Sequence, residues 1–144
     1  MTAPLRLLIV SDFYPPFIGG LERQSAAEAL ALASRGHDVH VATVWHPGLA
    51  ETERDGGVEI HRLKGLFNRV SWLGSVRNRR YHPPFPDPLL VRQLRRLVRA
   101  IRPDAVNAGG WIAYSCAAAV KGLDVPLVVS ARDQGYGCAV RTMV

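Results

Sequence analysis

In this 144-residue chain, short continuous runs of apolar residues alternate with segments whose apolar residues have the spacing of a helix. The run LRLLIV, Leu5 to Val10, is continuous rather than alternating, as is typical of a strand covered on both faces in a parallel sheet. An Ala- and Leu-rich segment from about Leu21 to Ser34 predicts a helix, and Gly36 stands where a left-handed residue ends one. The sequence DVHVATVW, from Asp38, then predicts a second strand.

The middle of the chain is less regular. GVEIHRLK, Gly57 to Lys64, alternates imperfectly and predicts a third strand near a sheet edge. Residues 65–86 mix aromatics, arginines and prolines without a sustained period, which indicates a long surface loop. From Pro88 to Arg102 an amphipathic helix is predicted, ended by Pro103. Its apolar face would hold Leu90, Leu94, Leu97, Val98 and Ile101.

The last third continues the alternation of strands and helices. It predicts a strand at Asp104 to Ala108, a helix from about Trp111 to Lys121, and a buried strand at Val125 to Ser130. This order indicates an α/β fold with a doubly wound, mainly parallel, Rossmann-like sheet. Such sheets bind ligands beyond the carboxyl ends of their strands. We expect four loops there: residues 12–20, 43–46, 107–111 and 131–137.

The first of these loops carries two adjacent glycines at the start of a helix. Unpaired N–H groups and the helix dipole favour phosphate there, and Gly19 and Gly20 would let a phosphate approach the backbone. The loop matches neither G-x-G-x-x-G nor G-x-x-x-x-G-K-[ST], so a standard dinucleotide or P-loop site is disfavoured. The alternative is that the glycine pair only makes a tight turn.

Several polar residues are predicted at the same edge. Glu22, in the first helical turn, either caps the helix or accepts a hydrogen bond from a substrate hydroxyl. Asp12 is interpreted as a loop cap, because no other strand end supplies the clustered carboxylates of a phospho-acceptor site. Arg132 and Asp133 follow the last strand, where an arginine could stabilise a leaving phosphate or simply pair with a carboxylate. Trp111 could stack on a sugar ring or pack under its helix.

The net charge of +6 comes mostly from arginine, with nine arginines between Arg69 and Arg102. This charge fits an anionic partner or, alternatively, a solvated basic face. A nucleic-acid binder is the weakest interpretation, since no recognition motif is present.

Cys116 and Cys138 are predicted to be reduced, and His37 to bond local backbone. His40 and His61 are interpreted as solvent-facing or locally satisfied, and no histidine pair has metal-ligand spacing, so no metal is expected. The short apolar run near the start favours a cytoplasmic location over a signal peptide.

Together, four segments resemble a known family. They are LLIVSDFYPPFIGGLERQ, LASRGHDVHVAT, RPDAVNAGG and VPLVVSARDQG. Their order resembles the N-terminal domain of GT-B-fold retaining glycosyltransferases of family 4, from about Leu5 to Gly137.

The resemblance implies transfer of a sugar from a nucleotide-sugar donor to an acceptor hydroxyl, without a cofactor or an obligatory metal. It implies that residues 1–144 form an incomplete acceptor-binding domain, with the donor-binding C-terminal domain absent from this chain. Gly19 and Gly20 would approach the donor diphosphate, and Arg132 and Asp133 would be catalytic, where many relatives carry a histidine. The acceptor would contact Glu22, Asn107, Gly110 and Trp111; Asn107 likewise stands where relatives often have histidine.

Family members often act at membranes on lipid-linked or cell-envelope acceptors. The sequence therefore raises the hypothesis that the helix from Pro88 to Arg102, with the loop before it, lies on an anionic lipid surface. A stand-alone nucleotide or phosphosugar binding module without catalysis remains the alternative function.

Overall fold

The structure, a computed structural model, describes residues 3–17, 19–66, 75–76, 79–80 and 82–131. Six strands form one sheet in the order β3-β4-β2-β1-β7-β8, and β5 and β6 form a separate two-stranded ribbon. All neighbours in the large sheet are parallel except β3 and β4. The predicted α/β, mainly parallel, Rossmann-like sheet is confirmed. The strands are β1 (Arg6–Ser11), β2 (Asp38–Val44), β3 (Thr52–Asp55), β4 (Val58–Leu63), β5 (Ser75–Val76), β6 (Arg79–Arg80), β7 (Ala105–Gly109) and β8 (Leu127–Ser130).

Three helices are α1 (Gly20–Ser34), α2 (Pro88–Ile101) and α3 (Ile112–Val120) within the described residues. The predicted end of α1 is confirmed: Gly36 has φ +89°, and the N–H groups of Gly36 and His37 bond the carbonyls of Ala33 and Leu32. This pattern is a Schellman motif, which satisfies carbonyls at the end of the helix. Asp87 caps α2 through the N–H groups of Leu89 and Leu90, and Pro88 fills the first helical position.

The edge strand β3 was missed by the sequence interpretation. Its four residues, TERD, are all exposed, so they carry no apolar period that could signal a strand. Backbone pairing of Asp55 with Val58 places β3 antiparallel to β4. The strand predicted near an edge, β4, is therefore covered by a polar strand that shields its backbone.

The core lies in two layers, one on each face of the sheet. On one face Ile9, Val41 and Ile60 pack near Ala29 of α1. On the other, Leu8 and Val10 join the apolar stripes of α2 and α3, including Leu94 and Cys116. Burial raises the pKa of the Cys116 thiol to about 12, so this cysteine stays protonated and packs as an apolar group, as the prediction of a reduced thiol requires.

Arg6, at the start of β1, is hydrogen-bonded to the first residue of β2, to the last residue of α2 and to the residue that precedes β7. Its Nε donates to Asp38 over 2.7 Å and its Nη1 to the Ile101 carbonyl over 2.8 Å, while its backbone N–H donates to Asp104. The Arg6 hydrogen bond holds the pKa of Asp38 below its usual range. His37 does bond backbone, as predicted, but the donor is the N–H of Leu5 on another element rather than a local group.

The longest described helix, α1, has 15 residues, whereas about 20 predominantly apolar residues are needed to cross a bilayer. Within the described part of the chain, no helix combines the length and apolar character of a membrane span.

Leu94→Ala tests the predicted stripe of α2, because Leu94 is fully buried between the sheet and α3. We expect a loss of about 2–5 kcal/mol in the free energy of unfolding, from lost apolar burial plus the cavity left behind. Chemical denaturation measures it. The matched control is Arg96→Ala, two residues on and exposed, which should change stability by less than about 0.5 kcal/mol. Equal losses would contradict the assigned face of α2.

Candidate functional site

The sheet changes direction between β1 and β7. From β1 the chain proceeds to β2 on one side, while β7 and β8 extend the sheet on the other. The loops after β1 and β7 therefore flank the switch point, where ligands of such sheets bind. Each loop leads into a helix, α1 on one face and α3 on the other. Two helix N-termini thus meet at the carboxyl edge, as the sequence predicted.

Asp12, directly after β1, closes the N-terminus of α3. Its two carboxylate oxygens accept from the N–H groups of Trp111, at 3.0 Å, and Ile112, at 2.7 Å. Asp12 is fully buried, and α3 has no side-chain cap of its own from Trp111. The predicted capping role of Asp12 is therefore right in kind, but its target is a helix about 100 residues away in the sequence.

Gly110 makes room for this carboxylate. It has φ +85°, which favours glycine, and a Cβ built there would stand 2.6 Å from Oδ2 of Asp12. Gly110 and Trp111 thus lie at the predicted edge, where both take part in the Asp12 contact. Trp111 is half-buried.

At the start of α1 the two glycines differ. Gly19 is the N-cap residue in an extended conformation, and a Cβ there would overlap the carboxylate of Glu22. A Cβ at Gly20 would meet no described atom within 4 Å beyond its chain neighbours and helix. The Glu22 carboxylate thus occupies the place that a side chain at Gly19 would take, whereas no described atom occupies that place at Gly20.

Glu22 is 4 % exposed and occupies the third position of α1, from which a carboxylate can reach back toward the N-cap. It therefore lies at the N-terminus of α1 and beside Gly19. Its carboxylate repels an anion placed on the same side. A phosphate approaching α1 would meet less repulsion at the Gly20 side.

The β1–α1 loop is held by groups from two other elements. Arg62 of β4, with 2 % of its side chain exposed, donates from Nη2 to the Pro15 carbonyl and from Nη1 to Glu53. The rings of Phe13 and Phe17 pack on His46, which is buried at the end of β2. Sequence reasoning missed Arg62, because its strand pattern gives no sign that its side chain reaches the loop.

Tyr14 is also buried in this loop. Burial, reinforced by the carboxylate of Asp55, raises the pKa of its hydroxyl above the ordinary value. The hydroxyl therefore stays neutral at physiological pH. The loop is thus a packed unit rather than a chain segment held only at its ends.

Asn107 lies within β7 rather than at its end. Its Nδ2 donates to Glu28 of α1 over 3.0 Å, and its Oδ1 accepts from the hydroxyl of Ser130 on β8 over 2.7 Å. Both polar atoms are thus engaged by the fold and tie β7 to α1 and β8. The last two predicted site residues, Arg132 and Asp133, lie outside the described residues.

A buried serine–histidine contact was also not foreseen. Nδ1 of His82 contacts the Pro83 carbonyl, which can only accept, so this nitrogen carries the proton. Nε2 then accepts from Ser115, 2.6 Å away, whose oxygen in turn accepts from the N–H of Asp87. Since His82 and Ser115 are fully buried, this chain of hydrogen bonds fixes the start of α2 against α3 and offers no exposed nucleophile.

Comparison with known protein families identifies the family of this chain. Residues 18–138, most of the chain, match the family described as Glycosyltransferase Family 4. No curated protein matches the chain. The matched range includes the N-termini of α1 and α3 and the strand that precedes Arg132.

Replacing Asp12 should weaken the whole fold, because two buried N–H groups lose their acceptor. We expect Asp12→Ala to lower the free energy of unfolding by about 1.5–3 kcal/mol, and Asp12→Asn, which keeps one acceptor oxygen, by roughly 1 kcal/mol. Chemical denaturation provides the measurement. Asp124→Ala, at an exposed aspartate beyond α3, is the control and should be nearly neutral. A neutral Asp12→Ala would show that the cap is dispensable.

Proposed function

Because this chain belongs to glycosyltransferase family 4, we propose that it is the acceptor-side domain of an enzyme that transfers a sugar from a nucleotide-sugar donor to an acceptor hydroxyl. In this proposal the reaction retains anomeric configuration, needs no cofactor or metal, and uses a second, donor-binding domain. The cytoplasm, where nucleotide sugars are made, is the proposed location.

The contrast between the two helix N-termini carries the proposal. The first N–H groups of α3 are occupied by the carboxylate of Asp12, which also offsets the positive end of that helix. The N-cap of α1 is a glycine, which supplies no side-chain cap. Of these two anion-favouring ends, we therefore assign the ligand to α1, on the Gly20 side of its first turn, away from the buried Glu22 carboxylate beside Gly19. We assign the donor diphosphate to its first turn.

Gly20 is the backbone position at which the proposed diphosphate would approach α1. Among the described residues nothing beyond its own chain neighbours and helix backbone lies within 4 Å of a Cβ built there, so a phosphate oxygen can approach the backbone where a side chain would stand. Gly19 contributes by admitting the Glu22 carboxylate. That carboxylate is a hydrogen-bond acceptor suited to a sugar hydroxyl, which makes Glu22 the proposed contact to the acceptor.

The other predicted site residues have different roles in the proposal. Gly110 and Trp111 form the acceptor side of the switch point, and the indole is proposed to stack on a sugar ring. Asn107 acts by positioning β7, because its amide is already bonded to Glu28 and Ser130. Arg132 and Asp133 are proposed as the catalytic pair from the sequence, with the guanidinium stabilising charge on the leaving diphosphate.

Binding of phosphate groups can be followed on this chain by amide NMR. Inorganic pyrophosphate, followed by UDP and GDP, should shift the amides of Gly20 and the first turn of α1 but leave those of Trp111 and Ile112 unchanged, because Asp12 occupies them. Gly20→Leu should weaken binding at least about tenfold, or 1.4 kcal/mol. Ala27→Leu, which adds the same bulk to an exposed position of α1, should not.

Two results would count against the site. Shifts centred on α3, or equal weakening by both leucine substitutions, would remove the phosphate from α1. Binding without sugar transfer, once the expected donor domain is also present, would favour the alternative of a binding module without catalysis. Transfer to an acceptor hydroxyl in that enzyme, lost with Gly20→Leu, would support the proposed reaction.

Contact with a membrane surface is a further part of this proposal. Arg92, Arg96 and Arg99 are exposed along one side of α2, opposite its buried stripe. Arg95 does not belong with them, since its Nη1 donates to the carbonyls of Ala119 and Lys121 at the end of α3. The basic surface available for anionic lipid is therefore the stripe of three arginines.

Vesicle co-sedimentation checks this contact. Binding should increase with phosphatidylserine content and fall with salt, and replacement of all three stripe arginines by glutamine should reduce it several-fold. Arg54→Gln, an exposed arginine on β3, is the control and should change little. Binding that ignores lipid charge or the triple substitution would contradict a role for α2 at membranes.

A further inference from the structure

Three side chains that can ligate a metal ion meet on one face of the sheet, on strands β2 and β4. His40 lies on β2, and Glu59 and His61 lie on β4, the parallel neighbour of β2. The register pairs His40 with Glu59 and Ala42 with His61, so all three side chains project from the same face. The small side chain of Ala42 leaves room between them. We refer to these three residues as the histidine cluster.

The distances in this cluster suit one small ion. Nδ1 of His40 stands 3.2 Å from Nε2 of His61, and that nitrogen stands 3.6 Å from Oε1 of Glu59. All three ligand atoms lie within 4.8 Å of one another. A tetrahedral zinc ion, with bonds of about 2.0–2.2 Å, separates neighbouring ligand atoms by roughly 3.3 Å. The ligand atoms therefore need only small adjustments to surround such an ion.

A fourth side chain orients His40. Its Nε2 lies 3.3 Å from Oδ1 of Asp38, whose other oxygen is held by Arg6 at 2.7 Å. A proton on Nε2 directed at this carboxylate leaves the lone pair of Nδ1 facing the cluster. A carboxylate bonded to the outer nitrogen of a ligating histidine is the usual support of a metal site.

Exposure of the cluster also fits a bound ion. The side chains of His40 and His61 are 12 % and 14 % exposed, and that of Glu59 is 35 % exposed. The ligands are thus sheltered but reachable from solvent on the Glu59 side. Two imidazoles and one carboxylate prefer zinc or a similar transition metal over magnesium or calcium.

We propose that His40, Glu59 and His61 bind a divalent transition metal of the zinc type, with water in the fourth position and Asp38 as the supporting carboxylate. This proposal differs from the sequence-based expectation of no metal. His40 stands four residues before the end of β2, about 13 Å from the carboxyl edge. The ion would therefore join β2 to β4 and take no part in sugar transfer, so this proposal is independent of the proposed function.

The competing arrangement is a metal-free pair of imidazoles sharing one proton. The ring centroids are 5.5 Å apart, well beyond the 3.2 Å between the nitrogens, so the rings meet edge to edge. That geometry allows an N–H···N hydrogen bond. In it the Glu59 carboxylate lies 3.6 Å from Nε2 of His61 as the ion-pair partner of a protonated imidazole. The two arrangements therefore differ in whether added metal binds.

The test begins with the chain freed of metal by a chelator. Zinc added to it should bind at one site and raise the Tm, and cobalt should give the intense visible absorption of a tetrahedral complex. X-ray absorption of the zinc-loaded chain should show two imidazoles per ion. These measurements need no variant. A zinc spectrum without histidine, or the absence of both binding and a Tm shift, would overturn the proposal in favour of the imidazole pair.

Variants then identify the ligands. His61→Ala should abolish the cobalt spectrum and the Tm shift, Glu59→Gln should weaken zinc binding, and Asp38→Asn should weaken it about 10–100-fold as expected for a supporting group. His37→Gln, outside the cluster, is the control and should bind zinc like the unaltered chain. If His61→Ala fails to fold, the zinc affinities of Asp38→Asn and Glu59→Gln test the ligand assignment. Unchanged zinc affinity in both would refute the assignment.

Discussion

The buried carboxylate of Asp12 is the contact on which the arrangement of this site depends. It joins the end of β1 to the first turn of α3, two segments that meet only because β1 and β7 are neighbours in the sheet. A charged oxygen without exposure requires strong donors, and the N–H groups of a helix start supply them. Gly110 is part of the same arrangement, since a side chain there would displace the carboxylate.

This contact also makes the N-terminus of α3 different from that of α1, the other helix at the switch point. The N-terminus of α3 is filled by Asp12, whereas the N-cap of α1 is a glycine that supplies no side-chain cap. The loop before α1 is fixed independently by Arg62, Tyr14 and the aromatic group around His46. Several residues that lead into α1 are therefore packed against other elements, which under the proposed function would lower the ordering that a bound diphosphate has to impose.

The polar residues around β1, β7 and α3 serve a different purpose from those on β2 and β4. Asp12, Asn107 and Ser115 are engaged with backbone or with neighbouring elements and hold the layers together. His40, Glu59 and His61 instead converge on one another at the other end of the sheet. Their convergence is a property of strand register alone, because a shift of β4 by one residue would send Glu59 and His61 to the opposite face.

The sequence alone determined the element order, the α/β class and most boundaries, because apolar runs, the amphipathic stripe of α2 and the Gly36 cap are local signals. Local signals also placed Asp12, Gly19, Gly20 and Trp111 at one edge. Only the tertiary structure decided what these groups contact. The partner of Asp12, the reach of Arg62, the engagement of Asn107 and the meeting of His40 with His61 all join residues distant in sequence. The exposed strand β3 escaped prediction for a different reason: it pairs with its sequence neighbour β4 through backbone groups, and its four exposed residues carry no apolar pattern.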